Sequence, residues 1–290
     1  MNVFITGASG FVGRQLLEHI NADSRFEKVY CLCRKNVGLP SRFTVINGAL
    51  EDLGVIPPVD ADVCIHLAAV TNSVTADDDD VFRVNSDGTA QVVEFCKKSN
   101  ISRIVFLSSI NVNLAKKYTY ALSKLSAEEH IRNSGLDYSV IRCSLVYGKG
   151  CESFDKIVSS AKLFHAVPVL GNGNAYEQPV YIDEVCRVII EHIFLADEKC
   201  VCNLYGKTKM TYNEMVKALI SANNTRAVLL HLPIAPIAVI SEFFYRHKLH
   251  FPIQPEQISH MCEDLCCDHG EENPYESYQD DFADNLRKYM

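Results

Sequence analysis

The sequence lacks the signatures of several large classes of protein. Its 12 cysteines include no Cys-x-x-Cys pair, and no set of cysteines and histidines has the spacing of a zinc finger. Its most apolar stretch, 227–240, is interrupted by His231, Pro233 and Pro236, so it is too short and too broken to cross a bilayer. We therefore expect a buried segment there, no metal site and no membrane partner.

Basic residues are also in the minority. The chain has 28 Lys and Arg against 36 Asp and Glu, a formal net charge of −8, which disfavours a nucleic-acid partner. A first strand is predicted from Asn2, which leaves no room for a secretory leader, and most cysteines lie in apolar runs that suit free core thiols. These features predict a cytoplasmic protein with reduced thiols.

Short apolar runs alternate with helical patterns through the first half of the chain. The runs are predicted strands and lie at 3–5, 29–33, 43–46, 63–67, 104–107 and 138–141. Apolar residues recur at helical spacing in 11–20, 81–98 and 118–133. Continuous apolar strands separated by helices indicate a parallel sheet covered on both faces. We therefore predict a doubly wound α/β fold, with a dinucleotide-binding Rossmann domain at residues 1–145.

The pattern loosens in the second half. Residues 146–290 are predicted to form mainly a smaller substrate-binding lobe, although a strand near Val201 can return to the main sheet. Helices are predicted at 151–164, 183–196 and 210–222, with Thr211 as a cap, and strands at 201–204 and 227–232. A last helix is predicted to begin after Phe251 and to run to about Cys267.

A glycine-rich loop joins the first predicted strand to the first helix. In the sequence TGASGFVG, Gly7 permits a tight turn, Gly10 admits a pyrophosphate close to the backbone, and Gly13 allows the helix to pack on the strand. A pyrophosphate would then meet the free amides at the start of the helix. The residues expected to contact the cofactor are Gly7, Ser9, Gly10, Phe11, Val12 and Gly13.

The end of the second strand bears on the choice of cofactor. An acidic residue there would bind the adenosine ribose of NAD, but this chain has Cys33 followed by Arg34 and Lys35. Two cations can hold a 2′-phosphate, so NADP is favoured over NAD. The alternative is that both are solvated loop charges.

A tyrosine and a lysine lie four residues apart on a predicted helix, as Tyr120 and Lys124. This spacing puts them on one face, where the ammonium lowers the pKa of the phenol and makes it a usable acid or base. Ser108 and Ser109 end the fifth strand at the carboxyl edge of the sheet, where ligands bind. A serine hydroxyl there can hold the reacting oxygen.

Together these segments resemble the extended short-chain dehydrogenase/reductase superfamily, in particular the NAD(P)-dependent epimerase/dehydratase proteins that act on nucleotide sugars. The resemblance rests on TGASGFVG at 6–13, HLAA at 66–69, VNSDGT at 84–89, IVFLSS at 104–109, YALSK at 120–124 and IRCSLVYG at 141–148. It implies that Ser109, Tyr120 and Lys124 are catalytic, with Ser108 the second choice for the hydroxyl. It also implies that Ala68, Ala69 and Asn85 serve the cofactor site, and that a homodimer forms through helices 81–98 and 118–133.

The chain departs from the family pattern at four places. An Asp that often contacts adenine is replaced by Ala49. Either the backbone of Leu50 or the residue Asp52 is left for that role. Ile110-Asn111 stands where sugar dehydratases carry Asp-Glu, which argues against dehydration. The loop between Ser109 and Tyr120 is short, and Gln178-Pro179 stands where nucleotide-sugar members carry an Arg.

Three functions remain open from the sequence. The resemblance implies an oxidoreductase or epimerase acting on a nucleoside-diphosphate sugar, by C4 epimerisation or 4-ketoreduction. The missing Arg and the short loop favour a carbonyl reductase for a non-sugar substrate. The third hypothesis is a catalytically idle NAD(P)-binding sensor or assembly factor, against which the retained Ser109, Tyr120 and Lys124 argue.

Overall fold

A computed structural model describes residues 1–34, 38–71, 78–195, 199–247, 249, 251, 253–267 and 274–289. The strands are β1 (Val3–Thr6), β2 (Val29–Cys33), β3 (Phe43–Asn47), β4 (Val63–His66), β5 (Arg103–Ser109), β6 (Asp137–Cys143), β7 (Val146–Tyr147), β8 (Ala166–Leu170), β9 (Tyr176–Glu177), β10 (Val180–Tyr181), β11 (Cys200–Leu204), β12 (Met210–Thr211) and β13 (Val228–Leu232). The helices are α1 (Phe11–Ala22), α2 (Asp78–Phe82), α3 (Gly88–Lys98), α4 (Thr119–Arg132), α5 (Glu152–Phe164), α6 (Ile182–Phe194), α7 (Tyr212–Ala222), α8 (Ile234–Arg246), α9 (Pro255–His260) and α10 (Phe282–Tyr289).

Seven strands form a central sheet in the order β11-β6-β5-β4-β1-β2-β3. The pairs β1–β2, β1–β4, β2–β3 and β4–β5 are parallel, with Val3 opposite both Val29 and Val63. Every residue of β1 and β4 is buried, which requires cover on both faces of the sheet. The predicted doubly wound α/β fold is confirmed.

Clustering of contacts divides the chain into two compact units. The first comprises residues 1–112, 119–142 and 185–202, and the second 113–118, 143–184 and 203–290. The core of the first unit lies between the sheet and α3 and α4, around side chains such as Phe4, Phe95, Ile104 and Ile131. The rings of Phe4 and Phe95 pack at a tilt with their centroids 4.8 Å apart, which ties β1 to α3.

The second unit is built from pairs of short strands and their helices. Strand β7 pairs in parallel with β10, β8 pairs in parallel with β13, and β9 pairs antiparallel with β12. Thr211 caps α7, as expected, because its hydroxyl accepts a hydrogen bond from the Glu214 amide at 3.2 Å. Among the described residues, no helix is long and apolar enough to cross a membrane.

Three elements differ from the sequence-based expectation. The helix expected to run to about Cys267 ends at His260 as α9. The segment 227–240 was expected to be buried, but it forms exposed β13 and the first half of the unforeseen helix α8, with Val228 61% and Val239 71% exposed. Residues Arg83–Asp87, within a helix expected to be regular, form a π-helical turn between α2 and α3.

Candidate active site

The glycine loop between β1 and α1 is shaped by two close backbone approaches. Gly7 has φ of +74°, and a Cβ atom added to it would lie 2.5 Å from the Ala68 amide nitrogen. A Cβ atom on Gly13 would lie 2.2 Å from the Gly7 carbonyl oxygen. Neither position admits a side chain without movement of the backbone, so the loop lies directly against the segment that follows β4.

The start of α1 has the character of an anion site. Gly10 is the N-cap, in extended conformation, and no side chain caps the helix. The first turn, which begins with Phe11 and Val12, contains no acidic residue, so its free amides and the helix dipole are uncompensated. This start of the helix fits the pyrophosphate of a dinucleotide.

Arg14, in the first turn of α1, is not among the residues expected from the sequence to contact the cofactor. Its Nε donates to the Ser9 carbonyl at 2.8 Å, which holds an exposed guanidinium beside the loop. Its position in the sequence could have indicated this, because a residue one helical turn after Gly10 lies at the N-terminal end of α1, beside the glycine loop.

His66, at the end of β4, connects the loop to α3. The Thr89 hydroxyl donates to the Asn85 carbonyl at 2.6 Å, so it accepts from His66 Nε2 at 2.9 Å. His66 Nδ1 is then left to accept from the Thr6 hydroxyl at 2.6 Å. Burial, with a smaller effect of the Lys124 charge, lowers the pKa of His66 to about 3. The imidazole is therefore neutral, and its role is structural.

Asn85 lies in the π-helical turn and holds two neighbouring segments. Its Oδ1 accepts from the Val70 amide at 2.7 Å, and its Nδ2 donates to the Val70 carbonyl at 2.9 Å and to Ser123 Oγ at 3.0 Å. Ser123 in turn donates to the Tyr120 carbonyl at 2.8 Å. The side chain is 1% exposed, so Asn85 joins the segment after β4 to the helix that carries Tyr120.

The residues expected around the adenosine end of the cofactor differ in how accessible they are to a ligand. Arg34 is exposed directly after β2, whereas Lys35 lies outside the described residues. The Leu50 side chain is 7% exposed and packs against Gly88, so only its backbone is available to a ligand. Asp52 accepts the Ala49 amide at 2.7 Å, which occupies one carboxylate oxygen. Ala68 and Ala69 are half-buried after β4, beside the glycine loop.

The two serines that end β5 differ in their partners. Ser108 donates to Glu128 Oε1 at 2.7 Å. Glu128 is fully buried and also binds Arg132 at 2.8 Å and Arg142 at 2.7 Å. The Ser109 hydroxyl, in contrast, accepts the amide of Asn111 at 3.2 Å and keeps its own proton for another partner.

Lys124 is buried at the carboxyl end of β5. It is 3% exposed, its Nζ donates to the Leu107 carbonyl at 2.8 Å, and it lies 4.3 Å from the centroid of the Phe106 ring. Burial lowers the pKa of Lys124 from 10.5 to about 7, against the opposing effect of the Glu128 carboxylate. Tyr120, one helical turn earlier on α4, is half-buried. The hydrogen bond therefore anchors this face of α4 to β5 at Leu107, two residues before Ser109.

Two further expectations concern thiols and metals. Cys143 is 5% exposed, in agreement with a core thiol, and no two of the described cysteines form a disulfide. Within the described ranges, no group of three or more His, Cys, Asp and Glu side chains is arranged to hold a metal ion.

Comparison with known proteins relates this geometry to a family. The model of the NAD dependent epimerase/dehydratase family matches residues 3–198. UPF0659 protein YMR090W of Saccharomyces cerevisiae is 30% identical over 189 residues, 58% of this chain and 81% of that protein. UDP-2-acetamido-2,6-beta-L-arabino-hexul-4-ose reductase of Pseudomonas aeruginosa is 28% identical over 201 residues, 66% of this chain and 49% of that protein.

Solved structures agree at the level of the fold. UDP-glucuronic acid 4-epimerase from Bacillus cereus, in complex with UDP-glucuronic acid and NAD, superposes with a TM-score of 0.69 at 21% identity. The match covers 80% of this chain and 86% of that one. The resemblance seen in the sequence is confirmed, because the family model covers more than half of the chain: the protein belongs to the NAD dependent epimerase/dehydratase family.

Proposed function

We propose that this protein is an NAD(P)-dependent enzyme that oxidises or reduces one carbon of a nucleoside-diphosphate sugar, by C4 epimerisation or 4-ketoreduction. The observation that carries the proposal is the buried Lys124, anchored to the Leu107 carbonyl at 2.8 Å and one helical turn after Tyr120. A buried ammonium beside a phenol, at the carboxyl edge of a dinucleotide-binding sheet, is suited to proton transfer at a carbinol.

The chain's own residues divide the work as follows. Tyr120 takes the proton from the sugar hydroxyl, and the Lys124 cation stabilises the phenolate that this requires. The hydroxyl of Ser109, whose proton is not used by Asn111, donates to the reacting oxygen. Ser108 is unsuited to that role because its proton is held by Glu128.

The glycine loop supplies the place for the dinucleotide. The backbone of Gly7, Ser9, Gly10 and Gly13 lines the approach, and the amides of Phe11 and Val12 meet the pyrophosphate. When bound, the nicotinamide ring supplies reversible transfer of hydride. Ala68 and Ala69 would lie along the cofactor, next to Val70, which Asn85 holds through two hydrogen bonds, and Lys124 would bind the nicotinamide ribose.

We further propose a preference for NADP. Arg34 is exposed at the end of β2, and Cys33 stands where an acidic residue would select NAD. An exposed guanidinium can bind a 2′-phosphate with two parallel hydrogen bonds. Arg34→Ala is expected to raise KM for NADPH at least tenfold and to change KM for NADH by less than about twofold.

One observation favours a second candidate, a carbonyl reductase for a non-sugar substrate. Gln178 stands near the place where nucleotide-sugar members carry an Arg. It is 6% exposed. Its Nε2 donates to the Gly206 carbonyl at 2.7 Å, and its Oε1 accepts from the backbone amide of Cys267 at 3.0 Å. The neighbouring Glu177 is also buried. Neither side chain is a cation, so neither can replace the Arg as a partner for a diphosphate.

The test begins with the nucleotide that copurifies with the protein, identified by mass spectrometry. Oxidation of NADPH is then followed with a 4-keto sugar nucleotide and with a simple ketone, which separates the two candidates. Tyr120→Phe should lower kcat at least a thousandfold, and Ser109→Ala about a hundredfold. Tyr118→Phe is the matched control, because the Tyr118 hydroxyl binds Glu242 at 3.1 Å and has no part in the proposal.

Full activity in Tyr120→Phe would refute the assignment of the site. A bound nucleotide with no turnover of any carbonyl substrate would leave the idle sensor or assembly factor as the function. We also propose a homodimer through α3 and α4, which light scattering of the purified chain tests.

A further inference from the structure

Helix α8 exposes an apolar stripe instead of burying it. Ala235, Pro236, Val239, Ile240 and Phe243 recur at helical spacing on its solvent side, and we call this set the outer stripe. Val239 is 71% exposed, Ile240 45% and Phe243 54%. An apolar face at this spacing normally packs against a core, so its exposure indicates a surface that is covered in use.

The opposite side of α8 already has its partners. Ser241 is 1% exposed and donates to the Ile253 carbonyl at 2.6 Å, and Tyr245 packs edge-on against Tyr118 with ring centroids 5.5 Å apart. Phe244 and Phe251 also pack together, at 5.3 Å. Because these contacts fix the rotation of α8 about its axis, the outer stripe cannot turn inward without breaking them.

The strand that precedes α8 also exposes apolar side chains to solvent. In β13, Val228, Leu230 and Leu232 alternate along one face and are 61%, 50% and 38% exposed. Leu229, on the other face, packs against the small core around Val167 and Val216. Two successive elements of the second unit thus expose apolar residues on one face, at every second residue in β13 and at every third or fourth residue in α8.

The charges around these elements identify the occupant. Between 226 and 251 the sequence has three basic residues, three histidines and a single acid, Glu242, although the whole chain is acidic. Glu242 is neutralised by Lys116 at 3.2 Å and Arg246 at 3.1 Å. Lys116 and Arg246 together outnumber Glu242, and Arg226 is exposed before β13, so positive charge is in excess around the apolar residues.

We propose that α8 and β13 dock this protein on an anionic lipid surface, with the outer stripe entering the boundary between headgroups and acyl chains. An apolar helix flanked by basic residues is the pattern of an interfacial anchor. At 13 residues α8 is about 20 Å long, which suits a helix lying in the plane of the surface. A second copy of the chain fits less well, because pairing the two faces would oppose cations of the same sign.

The test is flotation of the full chain with large unilamellar vesicles. Binding to vesicles of phosphatidylcholine with phosphatidylglycerol is expected to exceed binding to phosphatidylcholine alone at least tenfold, and to fall as salt is raised. The double variant Val239→Glu with Phe243→Glu should lose at least tenfold in partition. The matched control is Val55→Glu with Val201→Glu, two apolar-to-Glu changes at positions that are 85% and 40% exposed in the first compact unit. It should bind within about twofold of wild type.

Three outcomes would overturn the proposal. Wild-type protein that floats with neither vesicle would do so, and so would equal losses in the stripe variant and its control. The third is light scattering that shows a wild-type oligomer which the stripe variant converts to monomer, without vesicle binding by either. That result would make a second copy of the chain the occupant. Circular dichroism of each variant confirms that it is folded.

Discussion

The buried ammonium of Lys124 should make the protein less stable at neutral pH than a version without the charge. The group is 3% exposed, and its pKa falls from 10.5 in the unfolded chain to about 7 in the folded state because of burial. At 1.36 kcal/mol per pH unit, folding at pH 7 then costs about 4 kcal/mol for this group. The perturbation to make is Lys124→Met, which keeps the length of the side chain and removes its charge.

The free energy of unfolding of the variant should rise by less than this cost. Methionine cannot donate to the Leu107 carbonyl, and loss of that hydrogen bond costs about 2 kcal/mol. Lys124→Met should therefore be more stable than wild type by about 2 kcal/mol at pH 7 and below. The sign follows from proton binding: between pH 7 and 10.5 the unfolded state binds the extra proton, so wild-type stability rises with pH in this window. The advantage of the variant should vanish at about pH 9 and reverse above it, because the charge cost then falls below the loss of the hydrogen bond.

Urea unfolding at a series of pH values between these limits measures the effect. The chain has no tryptophan, so far-ultraviolet circular dichroism is the suitable signal. Activity should fall in the same variant, which would identify Lys124 as a residue kept for function at the expense of stability. A variant less stable than wild type by the same amount at every pH would refute the argument, because burial would then not be opposing the charge.

Three further predictions concern stability. Burial, together with the Asp264 charge, raises the pKa of Glu177 from 4.5 to about 8, so wild-type stability should fall as pH rises through this window. Glu177→Gln should remove that fall, a difference of up to about 5 kcal/mol by pH 8, and urea midpoints at the two ends of the window decide it. Gly13→Ala should destabilise by about 3 kcal/mol and lose bound nucleotide, whereas Gly54→Ala, with no atom within 4 Å of the added Cβ, should do neither. Thr211→Ala should lose about 1 kcal/mol by removing the cap of α7, and the thermal midpoint should fall correspondingly.

The sheet was predictable because its central strands β1, β4 and β5 are buried on both faces. Such strands appear as continuous apolar runs, and the predicted bounds of β1 to β5 lie within two residues of those observed. The glycine loop was predictable for a different reason. Gly7 and Gly13 meet backbone atoms of the loop itself and of the segment after β4, so the sequence must keep them as glycine.

Helix α8 shows where such patterns fail. Pro233 and Pro236 interrupt the apolar stretch and suggested a broken segment, but they stand at the N-cap and in the first turn of α8. A proline in the first turn removes an amide that has no partner in the helix, so it favours the start of a helix. The exposure of Val239 and Phe243 could not be foreseen, because apolar residues at helical spacing look the same whether they face a core or solvent.

The choice between Ser108 and Ser109 needed tertiary structure for a comparable reason. Both serines end the same strand, and alternation of side chains along a strand places them on opposite faces without saying which face carries the reaction. The separating contact is from Ser108 to Glu128, 20 residues later and two turns beyond Tyr120 on α4. Glu128 belongs to none of the motifs and is held by arginines from α4 and β6. Glu128, which has no signature of its own in the sequence, thus accepts the Ser108 proton, and this contact supports the proposal that Ser109 holds the reacting oxygen.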